Sequence, residues 1–186
     1  MTAMTTEVLG LPRGRALTRD DLDAMPDDGH RYELLDGVLI VSPAPRTIHQ
    51  RMLRSLVVRV LEACPADLEL FFAPYDVVLA QDTVIQPDLL VAPRDAYTDR
   101  DLPGAPSLAV EVLSPSTRSI DLLLKKDRLR RAGCANYWVV DPDEPSITAW
   151  VLRDEDYVQA GHAAGDEEVT LTEPFDITLV PSALLA

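Results

Sequence analysis

Apolar and polar residues follow each other along this chain with a changing period, and the changes mark out its elements. After Thr18, the run RDDLDAM carries acidic residues in its first turn, which predicts an N-cap and a short helix, because carboxylates favour the positive end of the helix dipole. The apolar-rich runs RYELL and VLIVS flank Asp36-Gly37, a pair that tolerates the positive φ angles of a two-residue turn. A tight β-hairpin is expected there, ended by Pro43 and Pro45. Over 47–63, Ile48, Met52, Leu53, Leu56, Val57, Val60 and Leu61 recur at spacings of three and four, the stripe of an amphipathic helix that Pro65 stops. Residues 68–79 read as strand interrupted near Pro74, 84–91 as a second strand, and 108–113 (LAVEVL) as a third. Another helix is predicted over 119–132, with Gly133 as its C′ stop and basic residues gathered towards its end. A short buried strand at 137–140, a hairpin from 147–152 and 157–159, and a last strand with a loop or turn in 168–185 complete the series. The order hairpin, helix, strands, helix, strands implies an α/β (α+β) fold: a mixed, bent sheet flanked by helices, with an N-terminal β-hairpin. Residues 1–17 read as a flexible tail and 18–186 as one domain.

Composition narrows the class. The 186 residues are 47% hydrophobic and 26% charged, enough for one domain with its own core. No run of 18 apolar residues suggests a membrane span, and 1–15 lacks a basic start followed by an apolar block, so no secretory signal is read there. Cys64 and Cys134 sit in no CxxC or Cys/His cluster and are expected as free thiols of a cytoplasmic protein. The net charge of -14 opposes generic nucleic-acid binding, which rests on Lys and Arg neutralising phosphates. Local patches can override it: Arg46, Arg51, Arg54 and Arg59 gather in one segment, and Lys125, Lys126, Arg128, Arg130 and Arg131 in another. Solvated helix faces are the plainer reading of both.

Three positions carry candidate chemistry. Pro87 in VIQPDLLVA removes a ladder donor, so a bulge or edge is implied, with Asp88 presented at the irregularity. Glu111 stands alone in apolar LAVEVL, where a carboxylate is costly unless paired, hydrogen-bonded or bound to a cation. Lys125 lies on the following helix, able to fold back over the strand end. Carboxylates on neighbouring strands, about 4.8 Å apart, can share one Mg²⁺, which takes oxygen ligands at about 2.1 Å. Such an ion polarises a phosphate and lowers the pKa of a bound water, while a lysine stabilises developing charge or helps deprotonate that water. Glu33, in the first strand of the hairpin, can add a third carboxylate.

Taken in order, RYELLDG, HQ opening the long helix, VIQPDLL, VEVLSPST, the span from Asp121 to Lys125, and AGCANYWVVDP resemble the Uma family of restriction endonucleases, a bacterial branch of the PD-(D/E)XK nuclease superfamily. The resemblance runs from about residue 18 to the end of the chain. It implies a restriction-endonuclease-like core and Mg²⁺-dependent cleavage of DNA, with Mn²⁺ a possible substitute. It makes Asp88 and Glu111 metal ligands and Glu33 the accessory acid; the backbone carbonyl of Val112 is a further candidate ligand. Many superfamily members carry the lysine two residues after the second carboxylate, where this chain has Leu113; the family's lysine on the next helix corresponds to Lys125. A homodimer would supply two equivalent sites for two strands.

Each residue also has a structural alternative. Asp88 can be a turn residue after proline, Glu111 can pair with a buried arginine, and Lys125 can be an ordinary surface residue with Lys126 competing for its role. Gln86 suits the substrate or a strand surface equally. His49 suits the cleft or a helix cap. Ser114 and Ser116 suit a phosphate at the helix entry or a turn. Asp121 reads as a first-turn dipole or cap residue, and Tyr137 and Trp138 as core. No P-loop, GxGxxG or GxSxG is present, and a glycosidase would need no lysine. The rival to a nuclease is a catalytically inactive nuclease-fold module for binding or scaffolding, and metal binding by Asp88 and Glu111 separates the two.

Overall fold

Proline cannot donate to a ladder, and at two prolines the chain leaves one sheet for another. The computed structural model describes residues 11, 12 and 14–186. Its elements are α1 (Arg19–Asp23), β1 (Arg31–Leu35), β2 (Val38–Ser42), α2 (Thr47–Ala63), β3 (Leu68–Phe72), β4 (Asp76–Ala80), β5 (Thr83–Ile85), β6 (Leu89–Pro93), β7 (Asp101–Pro103) and β8 (Leu108–Val112). A π-helical segment (Ile120–Lys125) then runs into α3 (Lys126–Arg131), followed by β9 (Asn136–Asp141), β10 (Ser146–Arg153), β11 (Asp156–Ala164), β12 (Val169–Leu171) and β13 (Ile177–Leu179). The first sheet has the order β2-β1-β5-β4-β7 and the second β11-β10-β9-β8-β6-β3, with β12-β13 as a separate pair. Both larger sheets are mixed: β4 runs parallel to β7 and β8 parallel to β9.

The 68–79 run therefore becomes two strands, split at Pro74, with β3 in the second sheet and β4 in the first. The 84–91 run splits at Pro87 in the same way, into β5 and β6. One expected bent sheet is resolved into two sheets joined by these crossings, and the mixed α+β class stands. Strand β7 and the second strand of the closing pair were not anticipated.

At the hairpin, Asp36 (φ 47) and Gly37 (φ 78) both take the left-handed region that a two-residue turn requires. At α1, the Thr18 N–H donates to Asp21 Oδ2 at 2.8 Å, closing the first turn. Of the segment expected as a tail, residues 1–10 and 13 lie outside the described residues. Leu11 and Leu17 are buried beside Leu34 and Val84, and the Leu17 N–H donates to the Gly37 carbonyl at 2.9 Å.

The period of two along β8 decides where chemistry can sit. Leu108, Val110 and Val112 face α2, where Met52, Leu56 and Val60 are fully buried against them and against Leu89, Val91 and Trp138. Ala109 faces the other way, into a second core with Leu35, Val77 and Ile85 of the first sheet and Leu129 of α3. Alternation turns Glu111 to that inter-sheet side. No helix of the described residues is long and apolar enough to cross a membrane. Cys64 and Cys134 are free thiols.

Candidate active site

The site lies where β6 and β8 part. Their pairing ends at Leu89 and Val110, because the chain before Leu89 turns away at Pro87. Beyond that point the edge of β8 faces the Asp88 side chain instead of a strand. Asp88 Oδ2 accepts the Val112 N–H at 2.8 Å and lies 3.2 Å from His49 Nε2 on α2, while Oδ1 is 3.2 Å from Arg31 Nη1. The N–H and carbonyl of one strand residue leave by the same edge, so the Val112 carbonyl is also on the Asp88 side.

Strand alternation puts Arg31 and Glu33 on one face of β1. Glu33 Oε1 accepts the Gln86 N–H at 2.7 Å and lies 2.8 Å from Lys125 Nζ. That ammonium also reaches Glu111 Oε1 at 3.1 Å and Asp121 Oδ1 at 3.7 Å. Asp121 and Lys125 are four residues apart in the π-helical segment, both turned inward. Thr117 Oγ1 donates to Asp121 Oδ2 at 2.7 Å, and the Tyr137 hydroxyl donates to the Asp121 carbonyl at 2.8 Å. Arg31 completes the network through the Gln86 carbonyl and Glu33.

The acids and the lysine are nearly dry: Glu33, Asp88, Glu111, Asp121 and Lys125 are at most 5% exposed. Burial alone would push Asp88 up, but the His49 hydrogen bond and the Arg31 guanidinium hold its carboxyl down at about 2. Burial opposes ionisation of Glu33 too, and Lys125 with Arg31 pulls it below the usual carboxylate range. Glu111 goes the other way: burial raises it well above that range, Lys125 opposes the rise, and Asp121 and Asp88 add to it. Asp121 is also raised, chiefly by burial. Burial would lower Lys125, but Glu111, Glu33 and Asp121 hold it above its ordinary value, so it stays an ammonium across neutral pH.

These groups floor a cleft of about 1120 Å³, and His49, Gln86, Val112, Ser114 and Ser116 line it as well. His49 is a buried neighbour of Asp88, not a cap, and its Nδ1 has no hydrogen-bond partner. Gln86 Nε2 donates to Asp76 Oδ1 at 2.8 Å, leaving Oε1 without a partner. Ser114 Oγ stands 3.0 Å from both Ser116 Oγ and Thr117 Oγ1, so these hydroxyls bond each other at the cleft wall. Lys126 points elsewhere, 3.6 Å over the Trp150 ring. The partner of Glu111 is thus Lys125, while the nearby arginine serves Asp88 and Glu33.

Two members of the network were not legible beforehand. Asp121 is no surface cap but a buried partner of Lys125; its sequence signals were the spacing of four and its place in a family motif that gave it no role. Arg31 opens the RYELLDG motif, but nothing in the sequence gave it a role beyond standing two residues from Glu33 on a strand. Among the described residues, no three His, Cys, Asp or Glu side chains stand together at metal-ligating distance; the Lys125 ammonium lies between Glu33 and Glu111. Several arginines of the two basic segments are engaged by acids, Arg46 by Asp143 at 2.6 Å and Arg131 by Asp36 at 2.8 Å. Tyr137 and Trp138 are fully buried core.

Among solved structures, the crystal structure of a "putative nuclease belonging to DUF820" from Anabaena variabilis matches with a TM-score of 0.72, covering 91% of this chain and 99% of that chain. At 18% identity this likeness shows a shared fold. No curated protein matches the chain. The model of the Uma2 family, described as "Putative restriction endonuclease", matches residues 19–182, and with almost its whole length matched the chain belongs to that family.

Proposed function

We propose that the cleft is the active site of a divalent-metal-dependent nuclease that hydrolyses DNA phosphodiester bonds. The observation that carries this reading is the convergence of Glu33, Asp88, Glu111 and Lys125, from four separate segments, on the buried floor of one cleft. Buried ionic networks are a weak source of stability, so charges concentrated at a cleft floor point to chemistry. The family description points the same way.

The donor set suits a hard cation. Asp88, Glu111 and the Val112 carbonyl are the oxygen ligands that Mg²⁺ or Mn²⁺ takes, and the edge of β8 that carries this carbonyl is freed from β6 beside Asp88. Bound there, the ion would supply Lewis-acid stabilisation of the phosphate and a more acidic water. The chain's own groups do the rest. Lys125, an ammonium at neutral pH, donates to the charge that develops on the attacked phosphate and is no general base. Glu33, held ionised, orients the attacking water and accepts a hydrogen bond from it. His49 and Arg31 fix the Asp88 carboxylate from two sides.

The test is plasmid cleavage with Mn²⁺ or Mg²⁺ by wild type and Asp88→Asn. Cleavage is expected to vanish in the variant while its circular dichroism is retained; cleavage at the full rate would overturn the assignment. The second reading, an inactive nuclease-fold module for binding or scaffolding, is favoured by the Lys125 ammonium lying between two of the acids and by the net charge of -14. Calorimetry of Mn²⁺ with wild type and Glu111→Ala, DNA present, separates the two: an inactive module binds no ion.

A further inference from the structure

We propose that the form of DNA this cleft takes is a single strand, entering with its bases unpaired. The inference rests on the nuclease reading and specifies the substrate of that same site.

Depth is the first ground. The site's carboxylates and Lys125 are at most 5% exposed, and the cleft above them is walled by residues from 22–33, 42–50, 72–76 and 114–121. Its volume, about 1120 Å³, lies just beyond the usual range of small-molecule pockets. A duplex is a stiff rod that carries both backbones together, with grooves roughly 12 and 6 Å wide. Its phosphates cannot pass four walls one at a time. A single strand bends at each nucleotide and can lower one phosphate to the floor.

Charge is the second ground. Duplex DNA presents one phosphate per about 1.7 Å, and tight binding of it needs many free cations. Here the arginines at the cleft are already engaged, Arg46 by Asp143 at 2.6 Å and Arg100 by Asp23. Asp27 and Asp76 face the cleft as well. Single-strand binding gains less from counterion release and leans on stacking between bases and aromatic rings.

A stacking surface is the third. Phe72, the last residue of β3, is 54% exposed and lines the cleft with Met25, Pro26 and Pro74. In the β3–β6 register it stands opposite Leu89, the residue after Asp88. An aromatic face lining the same cleft as Asp88 suits an unpaired base next to the scissile phosphate, whereas a base inside a duplex has both faces covered.

The experiment follows one labelled sequence with Mn²⁺ as a single strand, as a blunt duplex and as a duplex with an unpaired flap. The single strand and the flap are expected to be cut at least about tenfold faster than the duplex. Phe72→Ala should lower kcat/KM on the single strand by about fivefold or more, as expected for loss of one stacked base, with Mn²⁺ affinity unchanged and Phe72→Tyr near wild type. A duplex cut as fast as the single strand overturns this inference and leaves the nuclease reading standing. So does a Phe72→Ala variant as fast as wild type. Failure to cut any of the three overturns the nuclease reading, and this inference with it.

Discussion

Without the Lys125 ammonium, Glu33 and Glu111 would face each other in a dry interior, both within 3.1 Å of where its nitrogen stood. Removing one partner of a buried ionic cluster costs about 3–5 kcal/mol. Lys125→Met is therefore expected to lower the urea-unfolding free energy by about that amount, and Lys125→Met/Glu111→Gln to recover part of it. Asp88 sets a different dependence. Its folded carboxyl lies at about 2, below its ordinary 3.8, so the stability it contributes is present above 3.8 and lost as pH falls through 2. Acid unfolding of the metal-free protein should be steep in that window and shallower in Asp88→Asn, as read by circular dichroism. The four acidic and basic residues placed in the site from the sequence were legible because each broke a local rule or matched an ordered motif, as a carboxylate in LAVEVL does. Arg31 and Asp121 broke none. The importance of Arg31 lies in a contact across 57 residues, which no local pattern records.

Elements became legible to the extent that their reasons are local. The stripe of 47–63 and the Asp36-Gly37 turn fold as their own residues dictate. Pro74 and Pro87 were visible as interruptions, but which sheet each half joins is decided by partners elsewhere in the chain. The three residues of β7 pair with β4 without any periodic signal, and nothing in Ile120–Lys125 distinguishes a π turn from an α turn. The hairpin turn yields a sharp prediction. A Cβ on Gly37 would lie 2.6 Å from Ala16 Cβ, at a φ of 78° that side chains rarely adopt. Gly37→Ala should cost about 1–2 kcal/mol from backbone strain alone, read as a lowered urea midpoint. Asp36 beside it holds Arg128 at 3.0 Å and Arg131 at 2.8 Å, so disturbing the turn also loosens α3.

For the whole molecule, the mixed α+β class followed from element order, while the division into two sheets did not, since it depends on pairing between distant strands. The division matters because Glu33 comes from one sheet, Glu111 from the other, and Asp88 from the crossing between β5 and β6. A cation bound among them would tie folding to ligation. At a free Mn²⁺ concentration of 100 times its Kd, linkage supplies about 2.7 kcal/mol. For a chain of this size that raises Tm by roughly 5–10 °C. Scanning calorimetry should show this rise in wild type and none in Glu111→Gln.

The site's contacts bridge wide gaps in the chain: 53 residues between Glu33 and Gln86, 24 between Asp88 and Val112, and 14 between Glu111 and Lys125. A chain growing on the ribosome emerges from its N-terminus, so the three carboxylates come first and their lysine last. Until Lys125 and the π turn have emerged and docked, Glu33 and Asp88 have Arg31 beside them, but Glu111 lacks the ammonium that ties it to Glu33. A copy truncated before Lys125 is in the same state. A nuclease built this way cannot complete its floor until the growing chain has passed Lys125.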